Sequence, residues 1–276
     1  MPANSPPDSQ LASLTGIDRL LHIMERLRDP QTGCPWDIEQ SFASIAPYTL
    51  EEAHEVADVI ERQAWDELKG ELGDLLFQSV FHAQMAKEAG LFAFDDVVTA
   101  ISDKMISRHP HVFGDQSRDK SPEQQTRDWE ALKAKERKGA RTLDGVAMAL
   151  PALTRAVKLQ NRAARVGFDW PSTDQVLDKL VEETREVVEA RDSLGPEELT
   201  EEIGDLIFVL ANIARHLKVD PEAALRAANA KFTRRFARIE DALAAAGKTP
   251  AESNLEEMDA LWDLAKAEDK AAKAKG

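Results

Sequence analysis

Cysteine is almost missing from this 276-residue chain. Cys34 is the only one, so no disulfide can close within it, and a reducing compartment, the cytoplasm, is expected. Aromatic residues make up 6% of the chain, with a single tyrosine, and β-branched runs are short, which leaves no convincing strand. No stretch reaches the roughly 18 consecutive apolar residues that a membrane helix needs. Residues 1–10 are polar and proline-rich, without the apolar centre of a targeting peptide. Positive charge is in deficit: 35 Lys and Arg stand against 50 Asp and Glu, a net charge of −15. That argues against the broad basic footprint of a nucleic-acid binder. It leaves room for a phosphorylated small molecule, because metal ions can reverse the local sign. There is no Gly-x-x-x-x-Gly-Lys loop, so P-loop chemistry is excluded.

What remains is helix-forming. Ala, Leu, Glu, Lys and Arg dominate, and 43% of residues are apolar, enough for two cores. The expected architecture is all-α, a tandem duplication of a helical-bundle domain. Glu71-Leu72-Gly73-Asp74-Leu75-Leu76-Phe77 returns as Glu202-Ile203-Gly204-Asp205-Leu206-Ile207-Phe208, 131 positions later. A second acidic cluster precedes each copy, Glu51-Glu52-Ala53-His54-Glu55 and Glu182-Glu183-Thr184-Arg185-Glu186. Glu71 follows Glu52 by 19 positions, as Glu202 follows Glu183. A period this long marks a duplicated domain and not a solenoid. The expected division is a disordered leader at 1–15, a first domain at 16–139 and a second at 140–276.

Helices are expected at 17–28, from after Pro47 to Arg62, and at 66–89, 95–107 and 121–137. In the second half they are expected at 153–166, from a Thr173 or Asp174 cap to Ser193, from Pro196 to Leu217, at 221–246, and after a Ser253 capping box. Residues 31–37, 109–114 and 167–171 read as loops, and the last few residues as a frayed end.

Glu52 and Glu55 lie three apart and share a helix face, as do Glu71 and Asp74 on the next helix. A short turn between the helices lets the pairs face each other. Glu183, Glu186, Glu202 and Asp205 repeat the arrangement. An all-oxygen set suits a hard cation, Mg2+ or alternatively Mn2+. A di-iron site would want Glu-x-x-His twice, but Glu51 and His54 are matched by Glu182 and Arg185, so redox chemistry is disfavoured. Gly73 and Gly204 sit inside helices at a cost of about 1 kcal/mol each. Close approach of a neighbouring helix or room beside an ion would account for them. Lys231, Arg235 and Arg238 form one helical stripe, matched in the first half by Lys104 and Arg108. Lys179 lies one turn before Glu183, where the first half has Tyr48. Basic groups beside a carboxylate–metal cluster suit a polyphosphate, although each alone fits a surface ion pair equally well. Trp129 and Trp262 occupy corresponding terminal helices, with core packing as the default. His109, His111 and Cys34 read as packing residues.

The repeated Glu-Glu-x-x-Glu and Glu-x-x-Asp resemble the signature of the all-α nucleoside triphosphate pyrophosphohydrolases, in particular the two-domain MazG type. Cys34-Pro35-Trp36-Asp37, Arg108-His109-Pro110-His111-Val112-Phe113-Gly114, Leu150-Pro151-Ala152-Leu153, Lys158-Leu159-Gln160, Val166-Gly167-Phe168-Asp169-Trp170 and Lys231-Phe232-x-x-Arg235-Phe236 extend the resemblance over about residues 15–265. It implies Mg2+-dependent hydrolysis of NTPs and dNTPs to monophosphate and pyrophosphate, homodimerisation and a housekeeping role in the nucleotide pool. It implies Glu183, Glu186, Glu202 and Asp205 as metal ligands and catalytic centre, with Glu52, Glu55, Glu71 and Asp74 as a second site. Lys179, Lys231 and Arg235 would hold phosphates and Trp262 would contact the nucleotide. Glu198 and Glu201 stand with these substrate-side residues as spare acids for a water. Neither a nucleic acid nor a membrane is expected as partner. The alternative is a non-catalytic helical protein that binds metal or nucleotide in regulation.

Overall fold

The computed structural model describes residues 10–115, 117, 119, 121–122, 124–125, 128–129, 139 and 141–274, and every regular element among them is helical. Two units divide the chain, residues 1–136 and 137–276.

The first unit contains α1 (Gly16–Leu27), α2 (Pro35–Glu39), α3 (Phe42–Glu61), α4 (Leu68–Glu88), α5 (Phe94–Arg108) and α6 (Pro110–Phe113). Leu20, Leu21 and Met24 recur on one face of α1. That stripe closes on Ile45 of α3, on Phe77, Val80, Phe81 and Met85 of α4, and on Phe94. The short connection at 62–67, with Gln63 at φ 57°, turns the chain back so that α3 and α4 pack side by side.

Helix α3 starts at Phe42 and not after Pro47. Ser41 and Ser44 cap it reciprocally: Ser44 N donates to Ser41 Oγ at 3.3 Å and Ser41 N to Ser44 Oγ at 2.9 Å. Pro47 falls in the second turn, where its missing N–H forfeits one bond, to the Ala43 carbonyl. The segments expected as loops at 31–37 and 109–114 contain the short helices α2 and α6, each with proline at its first position. A Cβ on Gly33 would collide with the Leu27 carbonyl, so the tight turn before α2 requires glycine. Arg28 fastens this turn: it donates to the Asp37 carbonyl at 2.5 Å and pairs with Glu88 of α4. The expected cap at Ser121 is formed, with Gln124 N on Ser121 Oγ and Ser121 N on Gln124 Oε1. The course of that helix to 137 lies mostly outside the described residues. So do residues 1–9 of the expected leader, while residues 10–13 form a turn closed by Ser13.

The second unit contains α7 (Ala152–Arg165), α8 (Thr173–Ser193), α9 (Pro196–His216), α10 (Pro221–Ala245), a 3-10 turn at Pro250–Glu252, and α11 (Leu255–Lys273). Leu194 and Gly195 separate α8 from α9, which pair closely; α7 packs on α9, and α11 on α10. The caps sit one residue from their expected places. Ser172 caps α8, ahead of Thr173, and Asn254, not Ser253, accepts from Glu257 N at 2.9 Å to start α11. Helix α11 ends at Lys273, and residues 275–276 of the end expected to fray lie outside the described residues.

Candidate functional site

The α3–α4 and α8–α9 pairs bring the acidic residues together. In the first unit Glu52, Glu55 and Glu71 each offer a carboxylate oxygen within 4.8 Å of the others; in the second, Glu183, Glu186 and Glu202 do the same. The fourth expected member of each set, Asp74 or Asp205, is exposed and lies outside this tight group. Both remain close enough to act on it: burial raises the Glu52 pKa and repulsion from Asp74 adds to the rise, and Asp205 likewise adds to that of Glu202.

The two clusters differ in how their charge is balanced. Glu183 is 4% exposed, and its Oε2 is shut from solvent with no hydrogen-bond partner. Lys179, one turn earlier on α8, lies 2.7 Å from Glu183 Oε1, 2.6 Å from Glu182 and 3.9 Å from Glu186. These carboxylates hold the Lys179 ammonium well above its ordinary pKa, through hydrogen bonds to Glu182 and Glu183. Burial raises the Glu186 carboxyl above its usual range against the opposing pull of Lys179, and Glu183 adds to the rise. Burial raises Glu202 too, followed by repulsion from Glu183 and Asp205. In the first unit, no cation among the described residues pairs with Glu52, Glu55 or Glu71. Tyr48, at the position of Lys179, instead turns its ring edge-on to Trp36, 6.1 Å away. Glu52 is raised by its burial, then by Asp74 and Glu55.

An orphaned, buried carboxylate oxygen inside an acidic triad is what a hard divalent cation would satisfy. The residues present therefore fit a bound metal. Gly73 and Gly204 stand directly before the aspartates. A Cβ at Gly73 or Gly204 would meet nothing within 4 Å, so close approach of a helix in the same unit does not explain either.

Arg235 and Trp262 form a second group on α10 and α11. The Arg235 guanidinium lies 5.4 Å over the Trp262 ring, which also meets Phe232 at 5.3 Å. Arg108 lies over Trp129 in the same way in the first unit, at 5.9 Å. Asp269, which sequence reasoning passed over, takes Arg235 Nε at 2.8 Å and Arg238 at 3.0 Å, and its carboxyl is held below the usual range chiefly by the bond to Arg235. Lys231 is exposed. At the start of α9, Glu198 accepts the Gly195 N–H at 3.1 Å and acts as a cap, and Glu201 is exposed. His109 Nδ1 lies 2.7 Å from the Met105 carbonyl oxygen and His111 Nδ1 3.2 Å from Gln125 Nε2.

Fold and site together define a duplicated all-helical protein whose units each present a carboxylate triad across a helical hairpin, suited to a hard divalent cation. Comparison with known proteins gives that class a family. The family model described as the MazG nucleotide pyrophosphohydrolase domain matches residues 40–113 and 172–238, one stretch in each half. The nucleoside triphosphate pyrophosphohydrolase of Escherichia coli K12 is 53% identical over 255 residues, 91% of this chain and 97% of that protein. A protein of Thermotoga maritima named nucleoside triphosphate pyrophosphohydrolase/pyrophosphatase MazG is 42% identical, covering 92% of this chain and 96% of the relative. The uncharacterized protein YabN of Bacillus subtilis is 40% identical over 88% of this chain and half of its own length. The chain belongs to the MazG family.

Proposed function

We infer that this protein hydrolyses nucleoside triphosphates to nucleoside monophosphate and pyrophosphate, with Mg2+ as its metal. The observation that carries the reading is Glu183: a buried carboxylate with one unpartnered oxygen, inside a triad, in a chain whose full-length relatives are named for this activity. Glu183, Glu186, Glu202 and Asp205 would hold the ion, with Glu52, Glu55, Glu71 and Asp74 as the second set. When bound, Mg2+ lowers the pKa of a water and neutralises phosphate oxygens.

The chain's own residues do the rest. Water oxygen attacks the α-phosphorus, and the bond from that phosphorus to the bridging oxygen breaks, so pyrophosphate leaves with the bridge. Exposed Glu201 can accept the water's proton. Lys179 can turn from Glu182 to a phosphate oxygen, since both are anions within reach of one flexible ammonium. Lys231 and Arg235 take further phosphate charge, and Trp262 lies against the nucleotide. The protein would act as a homodimer, with exposed Val181 and Val188 of α8 and Ile203 and Leu210 of α9 as apolar surface for the partner copy.

Incubation with each NTP and dNTP plus Mg2+ in 18O-labelled water tests this. Pyrophosphate should be released, with the label in the monophosphate. Orthophosphate release, or label in pyrophosphate, refutes the cleavage site. No pyrophosphate across the panel refutes the activity. Among the described residues no helix is long and apolar enough to cross a membrane.

A further inference from the structure

Arg28, Arg215 and Arg235 are nearly buried, with side chains 8%, 11% and 15% exposed, and they are held in two different ways. Every nitrogen of the first two is engaged. Arg28 gives Nε and one terminal nitrogen to Glu88, and the other to the Asp37 and Gln40 carbonyls. Arg215 gives Nε to Asn212 and both terminal nitrogens to Asp169.

Arg235 is open by contrast. Its one hydrogen bond among the described residues runs from Nε to Asp269 Oδ2, at 2.8 Å. Its two terminal nitrogens have no partner there, and neither is shut from solvent. Those two nitrogens form the edge of the guanidinium that takes two oxygens of a phosphate at once.

The open edge is nevertheless fixed in place. Trp262 lies under the guanidinium face at 5.4 Å. Asp269 follows Trp262 by seven residues on α11, so both sit on one helical face. Asp269 is itself clamped: its side chain is 12% exposed, and its Oδ1 accepts from Arg238 at 3.0 Å. Arg238 also reaches the Ala265 carbonyl at 3.2 Å, so it joins α10 to α11 without help from Arg235. The first copy repeats the set in sequence. Arg108 lies over Trp129 at 5.9 Å, and Glu136, outside the described residues, follows Trp129 by the same seven positions.

We propose that Asp269 is a positioning residue for the phosphates of the substrate. By charge alone a carboxylate here opposes an anion. Its contribution is geometric: it anchors Arg235 from the side, through Nε, and leaves the terminal nitrogens aimed outward for phosphate oxygens. A long side chain is then ordered during folding, and its ordering no longer weakens binding. The proposal rests on the pyrophosphohydrolase reading for its substrate.

Two variants of the full chain separate geometry from charge and from packing. Asp269→Leu fills the place and removes both acceptors; Asp269→Asn keeps one acceptor for Nε without the charge. Each is also made in an Arg235→Met background. Steady-state kinetics with NTPs and Mg2+ gives KM and kcat, and calorimetric titration with inorganic tripolyphosphate in excess Mg2+ gives a Kd that needs no turnover. In Asp269→Leu, KM and this Kd should both rise about tenfold, the effect of one long side chain left to be ordered on binding. Asp269→Asn should recover much of the loss, to a rise of about threefold, and kcat should stay within about twofold in both. In the Arg235→Met background the same changes should move neither constant by more than about twofold, because the residue they act through is gone. A role in charge alone predicts tighter phosphate binding in both variants, and a role in packing alone predicts equal changes in the two backgrounds. Either result, or KM and Kd unchanged in Asp269→Leu, overturns the proposal. Asp269→Asn decides by the same comparison of backgrounds where Asp269→Leu does not fold. Tripolyphosphate binding without pyrophosphate release from any NTP would remove the catalytic reading, and the Kd values would then decide the positioning role by themselves.

Discussion

Lys179→Met tests the electrostatic account of the second cluster most directly. In wild type the ammonium is the one cation recorded within 4 Å of Glu183 among the described residues, and its own side chain is 28% exposed against 5% for Glu183. Methionine keeps the length and the apolar stem but removes the charge and the donor. Glu183 would then be buried with neither oxygen partnered, facing Glu186 and Glu202. A hydrogen bond to a charged group is worth about 1.5–3 kcal/mol, and the half-open position of Lys179 argues for the middle of that range, about 2 kcal/mol. For a unit of this size that corresponds to a fall in Tm of about 4–8 °C in metal-free buffer. If Mg2+ binds the folded cluster as proposed, it should recover most of the loss, and the Mg2+-induced rise in Tm should be larger in the variant than in wild type. Differential scanning calorimetry with EDTA and then with excess Mg2+ gives both quantities. A variant as stable as wild type in EDTA, or an equal response to Mg2+, refutes the idea that Lys179 and a metal neutralise the same charge.

Four further outcomes are expected. Glu186→Gln should remove most of the pyrophosphate release and Glu55→Gln leave much of it; the ratio of kcat/KM values checks this, and a larger loss from Glu55→Gln reverses the order of the two sites. Glu202→Gln and Asp205→Asn should each reduce the Mg2+-induced Tm shift, read by thermal melts, together with turnover. Without metal, stability should rise as pH falls from 7 towards 4.5, because Glu52, Glu186 and Glu202 have folded-state pKa values above that ordinary value and take up protons more readily when folded. Below about 3.8 it should fall, as Asp169 and Asp269, whose pKa values are depressed by Arg215 and Arg235, are protonated and lose those partners; urea melts across pH 3–7 show whether the maximum lies at mildly acidic pH. Phe81→Ala should cost about 3–5 kcal/mol in the first unit, measured by the same melts, since its ring is fully enclosed by Met24, Ile45 and Met85.

How much of this was legible in the sequence depends on the range of each interaction. Glu183 and Glu186 share a face because the helix repeats every 3.6 residues, and the Lys179 contact with Glu183 is an i,i+4 pair; both follow from spacing. Helix starts were displaced where capping side chains outweighed a proline, as at Ser41 and Ser44 ahead of Pro47. The Arg235–Asp269 bond joins two helices across 34 positions, and no periodicity connects them. Its sequence signal was an acidic residue in an alanine- and lysine-rich tail otherwise read as frayed, matched by Glu136 in the first copy.

The divergence of the two copies follows from one substitution on the helix that begins each hairpin. A carboxylate can be buried where a cation sits beside it, and otherwise it stays near water or shifts its pKa. With Lys179 in place, Glu183 sinks to 4% exposure and keeps one buried oxygen without a hydrogen-bond partner. With Tyr48 there instead, and that phenol drawn towards Trp36, Glu52 remains half-buried and its pKa rises against Asp74 and Glu55. The same carboxylates at the same spacing thus make a charge pair with one unpartnered oxygen in one unit, and a mutually repelling group in the other. A lysine introduced at Tyr48 would be adjacent to Glu52 by the same i,i+4 geometry that joins Lys179 to Glu183. Tyr48→Lys should therefore lower the Glu52 pKa towards its ordinary value, seen by NMR as a shift of the Glu52 carboxyl-carbon titration midpoint to lower pH. An unmoved titration would mean that the backbone of α3, and not the missing cation, sets the difference between the copies.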